Sequence, residues 1–223
     1  MKHAISTMCL FASILCSLLL TGCHVGKWDV NYPDAWAPRV ENLAGQCSTI
    51  SGYYLNQGER RLSTAGSDCY NNCGALISEL KDRNKVLSFT NLTDKERIKE
   101  RVIEIGQPTN QLLDVTEWKD IDGEFKQMPH FQLDSGNGDF TCRNGELQLK
   151  SRVYATILLV GNAVTTESRV FSKAEDGALI MKRFTKTGGH AFIFPEAFGV
   201  GEWVRWPAVE GVQGSKDPSE VFK

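Results

Sequence analysis

The sequence predicts a mainly β domain, an antiparallel sandwich or meander-like barrel with one amphipathic α-helix packed on it. Two observations carry that prediction. Asp122-Gly123, Asn144-Gly145 and Asp176-Gly177 each separate strand-like runs, and such dipeptides supply the positive φ angles that two-residue type I′ hairpin turns require. The runs around them are rich in β-branched and aromatic residues, and Leu147-Gln148-Leu149 alternates apolar with polar as a half-buried strand should.

The chain opens on a different kind of segment. Lys2 and His3 form a small basic start, Met8 to Leu20 is apolar except for Ser13 and Ser17, and the run ends Leu20-Thr21-Gly22-Cys23. Spanning a bilayer takes about 20 apolar residues, so this run reads as an export signal. Its last four residues resemble the lipobox of bacterial lipoproteins. The resemblance covers the first 23 residues and names a processing class. It implies that the peptidase cuts before Cys23, that Cys23 carries diacylglycerol and usually an acylated amino group, and that two or more acyl chains then hold the protein firmly to a membrane. His24 stands where an Asp retains many such proteins at the inner membrane, so the implied address is the outer membrane of a Gram-negative envelope.

Removing residues 1–22 leaves 201 of the 223, enough for one sizeable core. The expected division is a signal peptide over 1–22, a lipid-anchored tether over 23–46, a single β-rich domain over 47–212 and a flexible tail over 213–223. The mature chain carries 24 basic and 27 acidic residues, a net charge of −3, where a nucleic-acid binder would show a strong basic excess. Cys9 and Cys16 leave with the signal and Cys23 takes lipid. Cys47, Cys69, Cys73 and Cys142 remain, an even set that in an exported protein reads as a disulfide framework. The expected pairing is Cys47 with Cys69, which closes the shorter loop, and Cys73 with Cys142. No cysteines stand two residues apart, and only His24, His130 and His190 remain as nitrogen ligands, so neither a metal site nor a cofactor is expected.

In order along the mature chain, 24–46 carries Trp28, Pro33, Trp36 and Pro38 without a sustained period, a tether whose second half lies against the domain. Ser48 to Glu59 is the first strand-like segment. Ser67 and Asp68 can cap a helix to about Asp82, with Cys69, Cys73, Leu76, Ile77 and Leu80 on one face. On such a helix Cys69 and Cys73 lie about 5–6 Å apart at Cβ and cannot join each other. Lys85 to Thr90 reads as a strand, Thr93-Asp94-Lys95-Glu96 as a capping box opening a short helix, and Gly106 and Pro108 as a stop. The hairpins follow. Tyr154 to Val160 suits a central strand, His190 to Phe194 a strand ended by Pro195, and Glu202 to Trp206 a last one before Pro207.

The densest candidate site is C-terminal: His190, Phe194, Trp203 and Trp206, with Glu196 and Glu202 among them. Aromatics can stack on a sugar or peptide while carboxylates bind or catalyse. Their alternation along strands favours instead aromatics that close the core and glutamates that face water. There is no Gly-x-Ser-x-Gly elbow, His-Glu-x-x-His helix, phosphate loop or nucleotide fingerprint, and no residue is singled out as catalytic. Three function classes follow: a periplasm-facing binding or interaction module with an envelope protein or peptidoglycan as partner, an envelope hydrolase using the aromatic and acidic C-terminal region, and a structural or assembly lipoprotein without a small ligand.

Overall fold

The computed structural model describes residues 26–28, 31–41, 47–62, 69–81, 98–122, 124–158, 161–191 and 194–209, with backbone alone at 26–28, 60–62, 69–74, 98–100, 156–158, 161–162, 190–191 and 194–198. Among these the order is β1 (Gly26–Trp28), β2 (Gly52–Leu55), β3 (Gln57–Leu62), β4 (Cys69–Ala75), α1 (Leu76–Leu80), β5 (Ile98–Thr109), β6 (Leu112–Ile121), β7 (Glu124–Gln127), β8 (Phe131–Asp134), β9 (Phe140–Arg143), β10 (Glu146–Leu158), β11 (Gly161–Lys173), β12 (Leu179–Ala191) and β13 (Phe194–Trp206). They form two sheets packed face to face as an open sandwich. The larger runs β4-β3-β13-β12-β11-β10-β9, with β1 added parallel to β13, and the smaller runs β2-β5-β6-β7, with β8 also on β6.

All three Asp-Gly and Asn-Gly sites are hairpins. Arg143 pairs with Glu146 across Asn144 (φ 53°) and Gly145 (φ 78°), and Ile121 pairs with Glu124 across Asp122 (φ 58°), both two-residue connections. The third is longer: the Ala174 amide donates to Ala178 O at 2.9 Å, and Gly177 (φ 84°) donates to Ala174 O. That is the three-residue hairpin with a left-handed residue at its end.

The core lies between the sheets. Tyr54, Ile103, Ile105, Leu113 and Val115 of the smaller sheet meet Leu147, Leu149, Phe171, Leu179, Met181, Val204 and Trp206 of the larger, with Ile50, Leu76, Leu80 and Phe140 closing the sides. Trp206 stacks on Phe171 at 6.2 Å. A Cβ on Gly58 would come within 2.6 Å of the Trp206 ring nitrogen, so glycine lets β3 pass this ring. The chain crosses between sheets at corners. Asn56 separates β2 of one sheet from β3 of the other, and after β13 the Leu55 amide donates to Pro207 O and the Val209 amide to Tyr53 O.

Several expectations are corrected. The helix expected from Ser67 or Asp68 to Asp82 is α1 alone, preceded by β4 paired to β3. The α1 cap position, Ala75, offers no side-chain bond. Its first amides are satisfied from a distance instead, Leu76 N by Asn56 O at 2.9 Å and Ile77 N by Asn56 Oδ1 at 3.0 Å. Gly106 and Pro108 do not stop regular structure. They sit inside β5, where a register irregularity between Gly106 and Thr109 accommodates a residue without an amide proton. Pro195 likewise lies within β13 opposite His190, and the hairpin falls between Ala191 and Phe194. The expected disulfide pairing is also replaced: Cys47 bonds to Cys142, with Cα atoms 5.1 Å apart, and ties the entry to β2 to the edge strand β9. The side chains of Cys69 and Cys73 lie outside the described residues, as do the signal and Cys23, segments 82–97 and 210–223.

Two described pieces of the stretch expected as a tether lie against the domain. β1 lies on β13, and residues 31–41 cross the outer face of the larger sheet, where Tyr32, Trp36 and Ala37 pack on Ala174, Ala178, Ile180 and Trp203.

Candidate functional site

On the inner face of the larger sheet, the apolar rows stop and charge begins. β11 presents Phe171 and then Arg169 and Glu167 in the same phase. β12 presents Leu179 and Met181 and then Arg183, and β13 presents Trp206 and Val204 and then Glu202. On β10 the register shifts between Leu149 and Arg152, an extra residue that leaves both side chains buried and sets Arg152 opposite Glu167. Glu79 of α1 completes a belt of three arginines and three glutamates.

The belt is closely bonded. Arg183 Nε donates to Glu202 Oε1, while its Nη1 donates to Glu79 Oε1 at 3.1 Å and lies 3.9 Å from Glu167 Oε2. Arg152 Nη1 lies 3.3 Å from Glu167 and 3.6 Å from Glu79, and Arg169 Nε is 3.5 Å from Glu167. The arginines also close the end of α1. Arg152 Nη2 donates to the carbonyls of Ser78 (2.8 Å), Glu79 (3.1 Å) and Lys81 (2.6 Å), and Arg169 Nη1 donates to Glu79 O. A helix end exposes carbonyls and partial negative charge, and guanidinium groups satisfy both. Distant residues therefore hold this five-residue helix at both ends.

Burial sets the energetic stakes. Side-chain exposure is 4% at Arg169 and 6% at Glu79, where an unpaired charge costs several kcal/mol. Burial is the main cause that lowers the Arg169 pKa to about 10, with Arg152 adding to it against Glu167 and Glu79. Arg183 moves the other way: burial would lower it, but Glu79, Glu202 and Glu167 together raise it above the usual value. With three positive and three negative groups, the belt neutralises itself and fastens β10, β11, β12, β13 and α1 to one another.

The sequence-derived candidates do not form one groove. Trp206 is fully buried in the core on the inner face, and Glu202 lies on the same face in the belt, beyond Val204. Trp203 lies on the outer face beneath residues 31–41, edge-to-face with Tyr32 at 5.2 Å and with the Arg39 and Lys182 cations 5.2 Å and 5.3 Å from its ring centre. His190, Phe194 and Glu196 take backbone positions near the β12–β13 hairpin, with His190 opposite Pro195 and Glu196 opposite Gly189. Their side chains lie outside the described residues. Cys47 and Cys142 are the disulfide pair.

Sequence reasoning missed Glu79, Arg152, Glu167, Arg169 and Arg183. A signal was present: on β11, β12 and β13 a charge continues the phase of a buried apolar row. Among the described residues, no three His, Cys, Asp or Glu side chains converge to hold a metal ion, and no helix is long and apolar enough to cross a membrane. Compared with family models, with curated proteins and with solved structures, the chain matches none.

Proposed function

We propose that the chain is an envelope lipoprotein, anchored at the outer membrane through lipid on Cys23, whose sandwich is a binding or interaction module facing the periplasm. The observation that carries this reading is the order of basic start, apolar run and Leu20-Thr21-Gly22-Cys23 box. β1 begins at Gly26, three residues after the cysteine, so the anchor leads directly into the domain. The Cys47–Cys142 bond suits an oxidising compartment.

Two measurements test the reading. Cys23→Ser is expected to abolish incorporation of labelled fatty acid and leave an unprocessed precursor; incorporation that survives the change removes the anchor. In-cell crosslinking of the anchored protein is expected to capture an envelope protein or peptidoglycan. Cleavage of peptidoglycan by the purified protein, lost in Glu196→Gln while the fold is kept, would replace binding by hydrolysis.

A further inference from the structure

β10 is covered along only part of its outer edge. β9 pairs with it from Glu146 to Leu149, and the Lys150 amide then donates to Asp139 O at 2.8 Å. From Ser151 to Leu158 the strand continues with β11 on one side and, among the described residues, no strand on the other. The edge strands β7, β8 and β9 are four residues long each, and β7 carries Glu124 and Lys126. Short or charged edges resist pairing with other chains, whereas a long uncharged edge is a template for it.

The side chains beside the β10 edge are uncharged on the outer face. Arg152 points inward and is committed to the belt and the end of α1. Alternation then puts Val153 and Ala155 on the outer face, where Val153 is 65% exposed and Ala155 is exposed as well. Val153 lies opposite Thr166 on β11, and Ala155 lies opposite Val164, which is 49% exposed. No Lys, Arg, Asp or Glu occurs between Arg152 and Glu167. An apolar patch therefore borders the backbone edge and holds no charge that would repel an identical patch.

Strand lengths limit how two such edges can meet. Antiparallel pairing about a two-fold axis through the sheet sets each residue opposite its mirror position about the axis, on the same face. An axis at Val153 would drive position 157 onto Leu149 of the second copy, where β9 already pairs. An axis at Tyr154 clears β9: positions 151–157 meet 157–151, and β10 ends at Leu158. This register sets Val153 opposite Ala155 of the second copy, about 4.5–5.5 Å apart at Cβ. Val164, Ala155 and the second copy's Val153 then form one apolar row across the seam, and the axis repeats that row on its other side.

We propose that the open edge of β10 is a homodimer seam, at which two copies join their larger sheets antiparallel about Tyr154 and cover Val153 and Val164. A stable interface uses about 20–30 residues a side, and one strand edge with its bordering side chains supplies fewer. The dimer is therefore a weak one that forms at high local concentration.

The test follows the full-length chain by sedimentation in density-matched detergent, with amide hydrogen exchange alongside. The native chain is expected to pass from monomer toward dimer as its concentration rises to about 1 mM, and the β10 amides that face away from β11 are expected to slow in step. Val153→Lys sets like charges on neighbouring rows of the seam and is expected to weaken association at least about tenfold. Adding Ala155→Glu sets the new carboxylate opposite the new ammonium of the other copy, and is expected to restore association to within about threefold of native. Both positions are exposed, so the urea midpoints should match that of the native chain. If Val153→Lys unfolds the chain, Val164→Lys, in the same apolar row, takes its place with the same expectation. A chain that stays monomeric at about 1 mM, association indifferent to the added lysine, or a double variant no stronger than Val153→Lys overturns the proposal. Slow exchange along the β10 edge already in the dilute monomer would show the edge filled within the chain and also overturn it.

Discussion

Replacing Arg152 by Met tests whether the charge belt holds the sandwich together. The substitution keeps most of the stem volume and removes the guanidinium. At the end of α1 the carbonyls of Ser78 and Lys81 lose the Arg152 donor and that of Glu79 keeps Arg169, and the buried belt goes from neutral to one excess negative charge shared by Glu79, Glu167 and Glu202. Breaking a buried ion pair by removing one partner costs about 3–5 kcal/mol, because the remaining charge stays buried. With a urea m-value of about 2 kcal/mol/M for a domain of this class, the unfolding midpoint should fall by about 2 M. Lys126→Met, at an ion pair whose side chains are 56% and 78% exposed, serves as the surface control and should change stability by under about 0.5 kcal/mol. Adding Glu167→Gln to Arg152→Met restores neutrality, so the double variant should be more stable than the sum of the single losses by at least about 1 kcal/mol. A loss below about 1 kcal/mol for Arg152→Met, or strict additivity in the double variant, would refute the belt as a coupled structural unit.

Replacing both Cys47 and Cys142 by Ala opens a loop of 95 residues; the chain-entropy relation gives a loss of about 4.7 kcal/mol, readable as a urea midpoint that no longer responds to reductant through this bond. Asp176 feels burial, which would raise its pKa, but bonds from Arg205 and the Ala178 amide outweigh it and hold the carboxyl below its ordinary 3.8. Its contribution to stability is therefore complete above the unfolded value and is lost as pH falls through the lower folded value, so Asp176→Asn should flatten the decline of the urea midpoint between pH 5 and pH 3. Trp203→Ala removes the ring beneath Tyr32 and Arg39; a loss of about 3–5 kcal/mol is expected for a buried Trp, together with faster tryptic cleavage after Arg39.

Local chemistry was legible where it decides the structure by itself. Asn144-Gly145 needs positive φ at both positions, which few other residue pairs supply, and it forms the expected two-residue turn. The Asp176-Gly177 turn takes one residue more because the Ala174–Ala178 pair closes outside it. The helix was misread because apolar spacing from Cys69 to Leu80 fits a helix, while the ladder with β3 and the capping by Asn56, both set by distant chain, restrict it to Leu76–Leu80. Asn71, Asn72 and Gly74 have weak helix propensity, a cue that the spacing pattern overrode. Trp203 and Trp206 were grouped by nearness in sequence, but three residues along a strand reverse the face, which sends one to the core and the other beneath the N-terminal segment. The belt was invisible in any single strand, since a charge at the end of an apolar row acquires meaning only beside its opposite on the next strand.

The position of β13 bears on how the chain can fold at all. It is the last described strand in sequence, yet it borders β12 along one edge and β3 and β1 along the other. Leu62 pairs with Glu202, 140 positions later, and Gly26 pairs with Phe198, 172 positions later. Synthesis delivers a chain N-terminus first, so β1 and the β3–β4 pair have no place in the larger sheet until the final strand is available. Such distant pairings carry a large closure entropy and form slowly. A nascent chain of this topology cannot complete its larger sheet before β13 is released. The same arrangement makes the loss of β13 costly: a stop before Phe194 would remove the common neighbour of three strands and leave their edges free to pair with other chains.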